Sequence, residues 1–139
     1  MQLKLILDTN LVVSAFLNPD GLERLILNLA LSDQVVLFIS PEIIAEYEEV
    51  LYRKKFSIDS TLLKTALTLI RDKAVLIKPE LTVSVSPDPD DNKFHACAET
   101  ASADYIVTGN KRHFPDIWKR TRVVNARELI EIITPDLKA

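Results

Sequence analysis

The chain has 139 residues, of which 47% are hydrophobic and 27% are charged, and this composition is typical of a folded domain rather than a disordered tail. A formal net charge of −3 excludes a protein that holds nucleic acid through an overall positive potential. One cysteine, Cys97, excludes an internal disulfide and a multi-cysteine zinc site. We predict that Cys97 is a small buried core residue.

The length of the chain predicts a single domain over residues 1–139, since a chain of this size buries about two thirds of its unfolded surface in one core. Its apolar stretches are too short to span a bilayer, and no secretory signal is recognisable, so we expect a cytoplasmic protein without a membrane partner. Gly21 and Gly109 are the two glycines of the chain, which excludes a glycine-rich dinucleotide or P-loop phosphate cradle.

Apolar runs of strand length alternate with helical patterns along the chain, which predicts successive βα units and a mainly parallel sheet. The predicted strands are Leu3 to Leu7, Val35 to Ile39, Val75 to Ile77, Tyr105 to Val107 and Arg122 to Val124. The predicted helices are about Leu11 to Leu17, Leu22 to Leu31, Pro41 to Arg53, Ser60 to Asp72, Asp91 to Ala101 and Ala126 to Ile133. Because helices cover both faces of such a sheet, we expect its strands to be buried and continuously apolar.

Asp8 follows the first predicted strand directly. In open α/β sheets ligands bind outside the carboxyl ends of the strands, which favours a ligand-binding role for this carboxylate. The alternative is that Asp8 caps the helix that begins near Asn10.

Glu46 lies on the third predicted helix, whose start is marked by Ser40 as N-cap and Pro41 at the first helical position. At 100° per residue, Glu46 lies at the edge of the apolar stripe, on the same side as Glu42 one turn earlier. The pattern alone favours a solvated acid over a ligand.

The segment Lys78 to Pro89 is predicted to be a loop because its prolines resist regular structure. Asp91 follows this loop and opens a helix close to the face that carries Phe94. A carboxylate at this position meets the positive end of the helix dipole, which favours its ionised form. The alternative is that Asp91 and the aspartates before it only form a turn and a helix cap.

Other polar residues have weaker signals. Thr108 and Asn110 follow the fourth predicted strand, at the same edge of the sheet as Asp8.

His95 and His113 do not form an evident metal pair, and we predict that each is exposed or half-buried. Two basic clusters, within 53–55 and 111–122, are interpreted as solvated surface or as phosphate contacts.

Three carboxylates about 5 Å apart would repel by roughly 3 kcal/mol per pair at an effective dielectric constant near 20. A divalent cation removes this repulsion, so Asp8, Glu46 and Asp91 are candidate ligands of one metal ion. Oxygen ligands without a histidine or cysteine cluster select hard ions such as Mg²⁺ or Mn²⁺. Such ions activate water and neutralise charge on a phosphodiester.

Four segments together resemble the PIN-domain family, of the prokaryotic type that includes toxins of toxin–antitoxin systems. The segments are Leu7 to Ala15, Ser40 to Glu46, Pro87 to Phe94 and Ala103 to Asn110. Each segment is weak alone, but their order and their strand or helix context make the joint match specific.

The resemblance implies a Rossmann-like three-layer α/β/α sandwich with an acidic pocket that binds Mg²⁺ or Mn²⁺ and cleaves single-stranded RNA. Asp8, Glu46 and Asp91 match the first three acids of the family. A fourth acid commonly follows the strand equivalent to Tyr105 to Val107, where this chain has Asn110. An amide oxygen ligates a cation without charge, so the number of bound ions is open.

Other residues enter through the same resemblance. Asp88 or Asp90 could compensate for the missing fourth carboxylate, and Asp116 lies nearby in sequence; the sequence establishes neither route. The polar side chains predicted to support the site are Thr9, Asn10, Thr108 and Asn110. The resemblance also implies a type II toxin with a small antitoxin partner, and a homodimer.

The sequence also bears on two alternative functions. Aspartyl-phosphate chemistry is disfavoured, because Asn10 rather than a second acid stands two positions after Asp8, and Lys78 follows the third strand. A catalytically impaired module that binds RNA or protein stays open because of Asn110.

Overall fold

The computed structural model describes residues 2–80, 91–111 and 114–138. Within these ranges the strands are β1 Leu3–Leu7, β2 Val35–Ile39, β3 Val75–Leu76, β4 Tyr105–Val107, β5 Ile117–Trp118 and β6 Thr121–Val124. The helices are α1 Thr9–Leu17, α2 Leu22–Ala30, α3 Pro41–Leu51, α4 Ser60–Lys73, α5 Asn92–Ala101 and α6 Ala126–Lys138, with a short 3₁₀ helix at Lys54–Phe56.

The strands form one sheet in the order β3-β2-β1-β4-β6-β5. Five of them run parallel, and only β5 pairs antiparallel, with β6. The predicted three-layer α/β/α sandwich with a mainly parallel sheet is confirmed. From β1 the chain first extends the sheet to β2 and β3 on one side, and later returns to add β4 on the other. The β1–β4 boundary is therefore the switch point at which ligands bind in open α/β sheets.

The core is built around the two central strands. Leu5, Ile6 and Leu7 of β1 are fully buried, as are Ile106 and Val107 of β4. These continuous apolar runs explain why both strands have the predicted bounds, since a strand covered on both faces has no solvent-facing side.

The expectation that every strand is buried is wrong for β3. Val75 is 43% exposed to solvent and Leu76 is 52% exposed. The physical reason is position, because β3 pairs only with β2 and forms the edge of the sheet. The strand is also only two residues long, so no helix needs to cover it.

Helix α3 begins as the sequence predicts. The Ser40 hydroxyl accepts a hydrogen bond from the backbone N–H of Ile43 at 3.2 Å, and Pro41 occupies the first turn. The other helices differ from their predicted bounds mainly at the ends, and α6 continues to Lys138, beyond its predicted end at Ile133.

One strand of the sheet was not predicted from the sequence. The hairpin strand β5 was missed, because it has only two residues and its turn contains Lys119 at a φ of 56° where a glycine would have signalled it.

Most of the loop predicted at Lys78 to Pro89 lies outside the described residues. No helix in the described parts of the chain is long and apolar enough to cross a membrane.

Candidate active site at the carboxyl ends of β1 and β4

Asp8 lies at the switch point of the sheet. Its backbone N–H donates to the carbonyl of Val107 at 2.9 Å, which continues the pairing of β1 with β4. Its side chain is only 3% exposed, and the hydroxyl of Thr108 donates to its Oδ2 at 2.6 Å. Asp8 is the N-cap residue of α1, yet its side chain makes no capping hydrogen bond. The carboxylate is therefore directed towards β4, which disfavours the capping alternative.

Glu46 reaches the same region from α3. The hydroxyl of Thr9, the residue after Asp8, donates to Oε2 of Glu46. Glu46 is half-buried, whereas Glu42 one turn earlier is exposed. The helical pattern did not distinguish these two acids, and the structure brings Glu46 to the end of β1.

Tyr47 connects α3 to β1 directly. Its buried hydroxyl donates to the carbonyl of Leu7, the residue before Asp8. Burial raises the pKa of the Tyr47 phenol well above its usual value, and the nearby charge of Asp8 raises it further. The phenol is thus neutral and serves as a donor that fixes the end of β1. The sequence placed Tyr47 on the apolar stripe but gave no signal of this hydrogen bond.

Asp91 and Lys93 come from the start of α5. Asp91 is the N-cap residue, its side chain makes no capping hydrogen bond, and its Oδ2 is buried. Two residues later, the ammonium group of Lys93 lies 2.5 Å from Oε1 of Glu46. Lys93 was missed as a site residue, although a lysine two positions after a candidate ligand was the available signal.

Asp8 and Glu46 contact threonine and lysine side chains at this edge of the sheet rather than forming a compact carboxylate cluster. Among the described residues, no group of three or more histidine, cysteine, aspartate or glutamate side chains is arranged to hold a metal ion. Hydrogen bonds instead link Thr108 to Asp8 and Thr9 to Glu46, and Lys93 supplies a positive charge. The carboxylate and hydroxyl oxygens that meet here are nevertheless the donor types that a hard divalent cation prefers.

Comparison with known proteins identifies the family of this fold and site. The profile of the PIN domain matches residues 4–112. The chain belongs to the PIN-domain family. An uncharacterized protein of Methanocaldococcus jannaschii is 34% identical over 115 residues, which are 80% of this chain and 73% of the relative. The predicted family is thus confirmed. PIN domains are generally nucleases and typically use divalent metal ions.

The polar residues predicted to support the site have different positions in this PIN domain. Thr9 donates a hydrogen bond to Glu46, and Thr108 donates one to Asp8. The backbone N–H of Asn110 donates to the Thr108 hydroxyl at 3.0 Å, which leaves the hydroxyl hydrogen directed at Asp8. Asn10 is exposed in the first turn of α1.

Asp116, one of the three acids that could replace a fourth carboxylate, does not lie beside Asp8. Asp116 is exposed and its backbone pairs with Val123, beside β5. Strand β5 is three strand spacings from β1, or about 14 Å. Asp88 and Asp90 lie outside the described residues.

Several cations of the basic clusters pair with neighbouring carboxylates. Arg53 pairs with Glu49 at 2.8 Å, and Arg120 pairs with Asp104 at 2.7 Å. Lys111 lies 3.1 Å from Glu128. These pairs favour the solvated-surface interpretation for the cations concerned.

The prediction for His95 is wrong. Its side chain is fully buried, and its ring packs 5.2 Å from that of Phe114. Helix α5 buries every residue from Phe94 to Ala98, a wider face than one apolar stripe, because it packs against the sheet and α3 together. The prediction for Cys97 is confirmed, since it is buried and burial raises the pKa of its thiol to about 12. His113 lies outside the described residues.

Proposed function

We propose that this PIN domain is a metal-dependent endoribonuclease that cleaves single-stranded RNA by attack of water on a phosphodiester. The observation that carries the proposal is the buried carboxylate of Asp8, held by Thr108 at the switch point of the sheet. A carboxylate at a switch point lies where ligands bind in open α/β sheets, and its oxygens are the ligands that a hard divalent cation prefers.

Asp8, Glu46 and Asp91 are the residues that would hold Mg²⁺ or Mn²⁺. Their oxygen donors fit a hard cation, and the chain offers no cysteine or histidine cluster for zinc in its described part. When bound, the cation would activate water and neutralise charge on the scissile phosphate.

The side chains of the site have separate tasks in this proposal. Thr108 fixes the orientation of the Asp8 carboxylate, and Thr9 fixes that of Glu46. Glu46 would bind the cation or orient the attacking water. Water is the nucleophile, and the products carry 5′-phosphate and 3′-hydroxyl ends.

The biological role that we propose is that of a cytoplasmic type II toxin. Its support is the resemblance to toxin-type PIN domains, which implies a small antitoxin that covers the acidic pocket and a homodimer. Sedimentation of the purified protein, with and without the product of the neighbouring gene, tests both associations. A monodisperse monomer in both samples contradicts this role but leaves the nuclease activity unaffected.

A second candidate function is a module that binds RNA without cleaving it. Two observations favour it: Asn110 replaces the fourth acid, and Lys93 already pairs with Glu46. A site with less negative charge attracts a divalent cation less strongly.

A titration with Mn²⁺ separates the two candidates. The purified protein is incubated with an end-labelled single-stranded RNA at increasing Mn²⁺, with a chelator as control. We expect cleavage that rises with Mn²⁺ and stops with chelator, and no cleavage of a matched duplex. Retention of the RNA on the protein without cleavage would favour the binding module.

A further inference from the structure

A cavity of about 310 Å³ lies at the same edge of the sheet as the acidic site. Three segments line it: the start of α2 with Glu23, the end of β4 with Thr108 and Gly109, and the start of α6 with Asn125 and Arg127. Its volume is at the lower end of the range for ligand pockets, which gives room for one nucleotide-sized group rather than a duplex.

The cavity adjoins the acidic site through one shared side chain. Thr108 lines the cavity, and its hydroxyl donates to Oδ2 of Asp8 at 2.6 Å. A group bound in the cavity therefore lies one residue away from the carboxylate proposed to hold the metal ion. Along an RNA chain, the nucleotide next to the scissile phosphate likewise lies one position away from it.

Arg127 is the positive group of the cavity. Its helix start is fixed by a reciprocal capping box, in which the N–H of Glu128 donates to the side chain of Asn125 at 2.8 Å and the N–H of Asn125 donates to Glu128 at 2.9 Å. Arg53, Lys111 and Arg120 each pair with a carboxylate. Arg127, in contrast, has no carboxylate partner among the described residues, so its guanidinium is available to an anion from solution.

We propose that this cavity binds the nucleotide next to the scissile phosphate of single-stranded RNA, with Arg127 contacting that nucleotide's own phosphate. The proposal rests on the proposed nuclease function and deepens it by assigning a substrate subsite. The guanidinium is a bidentate donor suited to a phosphate. Glu23, which also lines the cavity, repels a second phosphate and accepts hydrogen bonds from hydroxyl or amino groups, both of which a nucleotide carries.

Gly109 lines the cavity and can be substituted without strain. A Cβ atom built at this position meets nothing within 4 Å, and the residue does not have a positive φ. Gly109→Asp and Gly109→Asn have nearly the same size, so they differ mainly in the charge that they bring to the cavity wall.

Binding of a labelled single-stranded RNA is measured by fluorescence anisotropy in an Asp8→Asn background, where cleavage does not interfere. We expect Arg127→Gln to weaken binding roughly 3- to 10-fold and to reduce the salt dependence of log K by about 0.7, the value for one phosphate contact on a single strand. Lys64→Gln is the matched control, since Lys64 is exposed on α4, away from the cavity. Gly109→Asp should weaken binding more than Gly109→Asn, with both variants melting at the wild-type temperature.

Equal affinity and salt dependence for Arg127→Gln and Lys64→Gln, in a protein that does bind RNA, would overturn the subsite while the nuclease function stands. Equal binding by the two Gly109 variants would overturn it as well. Absence of RNA cleavage and RNA binding in the wild-type protein would instead overturn the proposed function, and the subsite with it.

Discussion

The ammonium group of Lys93 lies 2.5 Å from Oε1 of Glu46, and the Thr9 hydroxyl donates to the other oxygen of the same carboxylate. Both oxygens of Glu46 are thus engaged within the protein. A metal ion that binds Glu46 must share this carboxylate with Lys93 or displace it. The pair also offsets the negative charge of Glu46, which is half-buried on α3.

Replacement of Lys93 by glutamine should therefore strengthen metal binding. We expect Mn²⁺ affinity to rise several-fold by calorimetry, because the competing positive charge is removed. We also expect the metal-free variant to melt at a lower temperature, since Glu46 loses its partner. Lys73→Gln is the matched control, because Lys73 forms an exposed pair with Asp33 at 3.6 Å. Weaker Mn²⁺ binding by the Lys93 variant than by this control would show that Lys93 assists the cation instead.

Thr108→Val tests the hydroxyl that holds Asp8. The variant keeps the side-chain shape but leaves the buried Oδ2 without this donor, which should cost about 1–3 kcal/mol of stability and strongly reduce cleavage. The control is Thr121→Val, which removes an equally buried hydroxyl that donates to the carbonyl of Ala103 at 2.7 Å. Urea unfolding and cleavage rates should show two destabilised proteins, of which only the Thr108 variant loses activity. Equal activity in both would remove Thr108 from the site.

Asn110→Asp restores a carboxylate at the position where the family commonly has its fourth acid. Added negative charge near Asp8 should increase Mn²⁺ affinity and lower the Mn²⁺ concentration needed for half-maximal cleavage. Asn28→Asp on the exposed face of α2 makes the same chemical change elsewhere. Calorimetry of both variants distinguishes a local effect from one of net charge. If the two substitutions act alike, position 110 is not part of the metal site.

His95 should make the fold sensitive to acid. Burial lowers the pKa of His95 from 6.5 to about 4, so the unfolded chain binds a proton that the folded chain does not. The contribution of neutral His95 is fully present above pH 6.5 and is lost as the pH falls from 6.5 towards 4. The loss is on the order of 3 kcal/mol. Urea unfolding at several pH values should show a weaker loss of stability on acidification in His95→Phe, whereas parallel curves for the two proteins would contradict the assignment.

The central strands could be predicted from sequence because their physical signal is local. In β1, β2 and β4, burial on both faces requires consecutive apolar residues, and these runs define the strand bounds. Strand β5 has two residues and no glycine turn, so no local pattern marks it. The prediction for His95 was wrong because several elements pack against α5 at once. The sequence of one helix does not show which elements will cover it.

The sequence predicted which residues belong to the candidate site but not which side chains they contact. Asp8 follows a buried strand, and that placement favoured a ligand-binding role over a helix cap. The partners that give it a defined orientation come from distant segments: Thr108 lies 100 residues away in sequence, and the Glu46–Lys93 pair joins residues 47 apart. Arg127 gave no signal, since an exposed arginine in a first helical turn is ordinary until the cavity beside it is seen.

The most direct test of the nuclease assignment is Mn²⁺-dependent cleavage of single-stranded RNA by the wild-type protein and by Asp8→Asn, each purified in the same way. The substitution preserves size and removes the charge of the buried carboxylate at the switch point. We predict metal-dependent cleavage by the wild type and a loss of at least about 100-fold in the variant, with both proteins folded by circular dichroism. Equal cleavage by the two proteins, or none by a folded wild type at any Mn²⁺ concentration, would contradict the account.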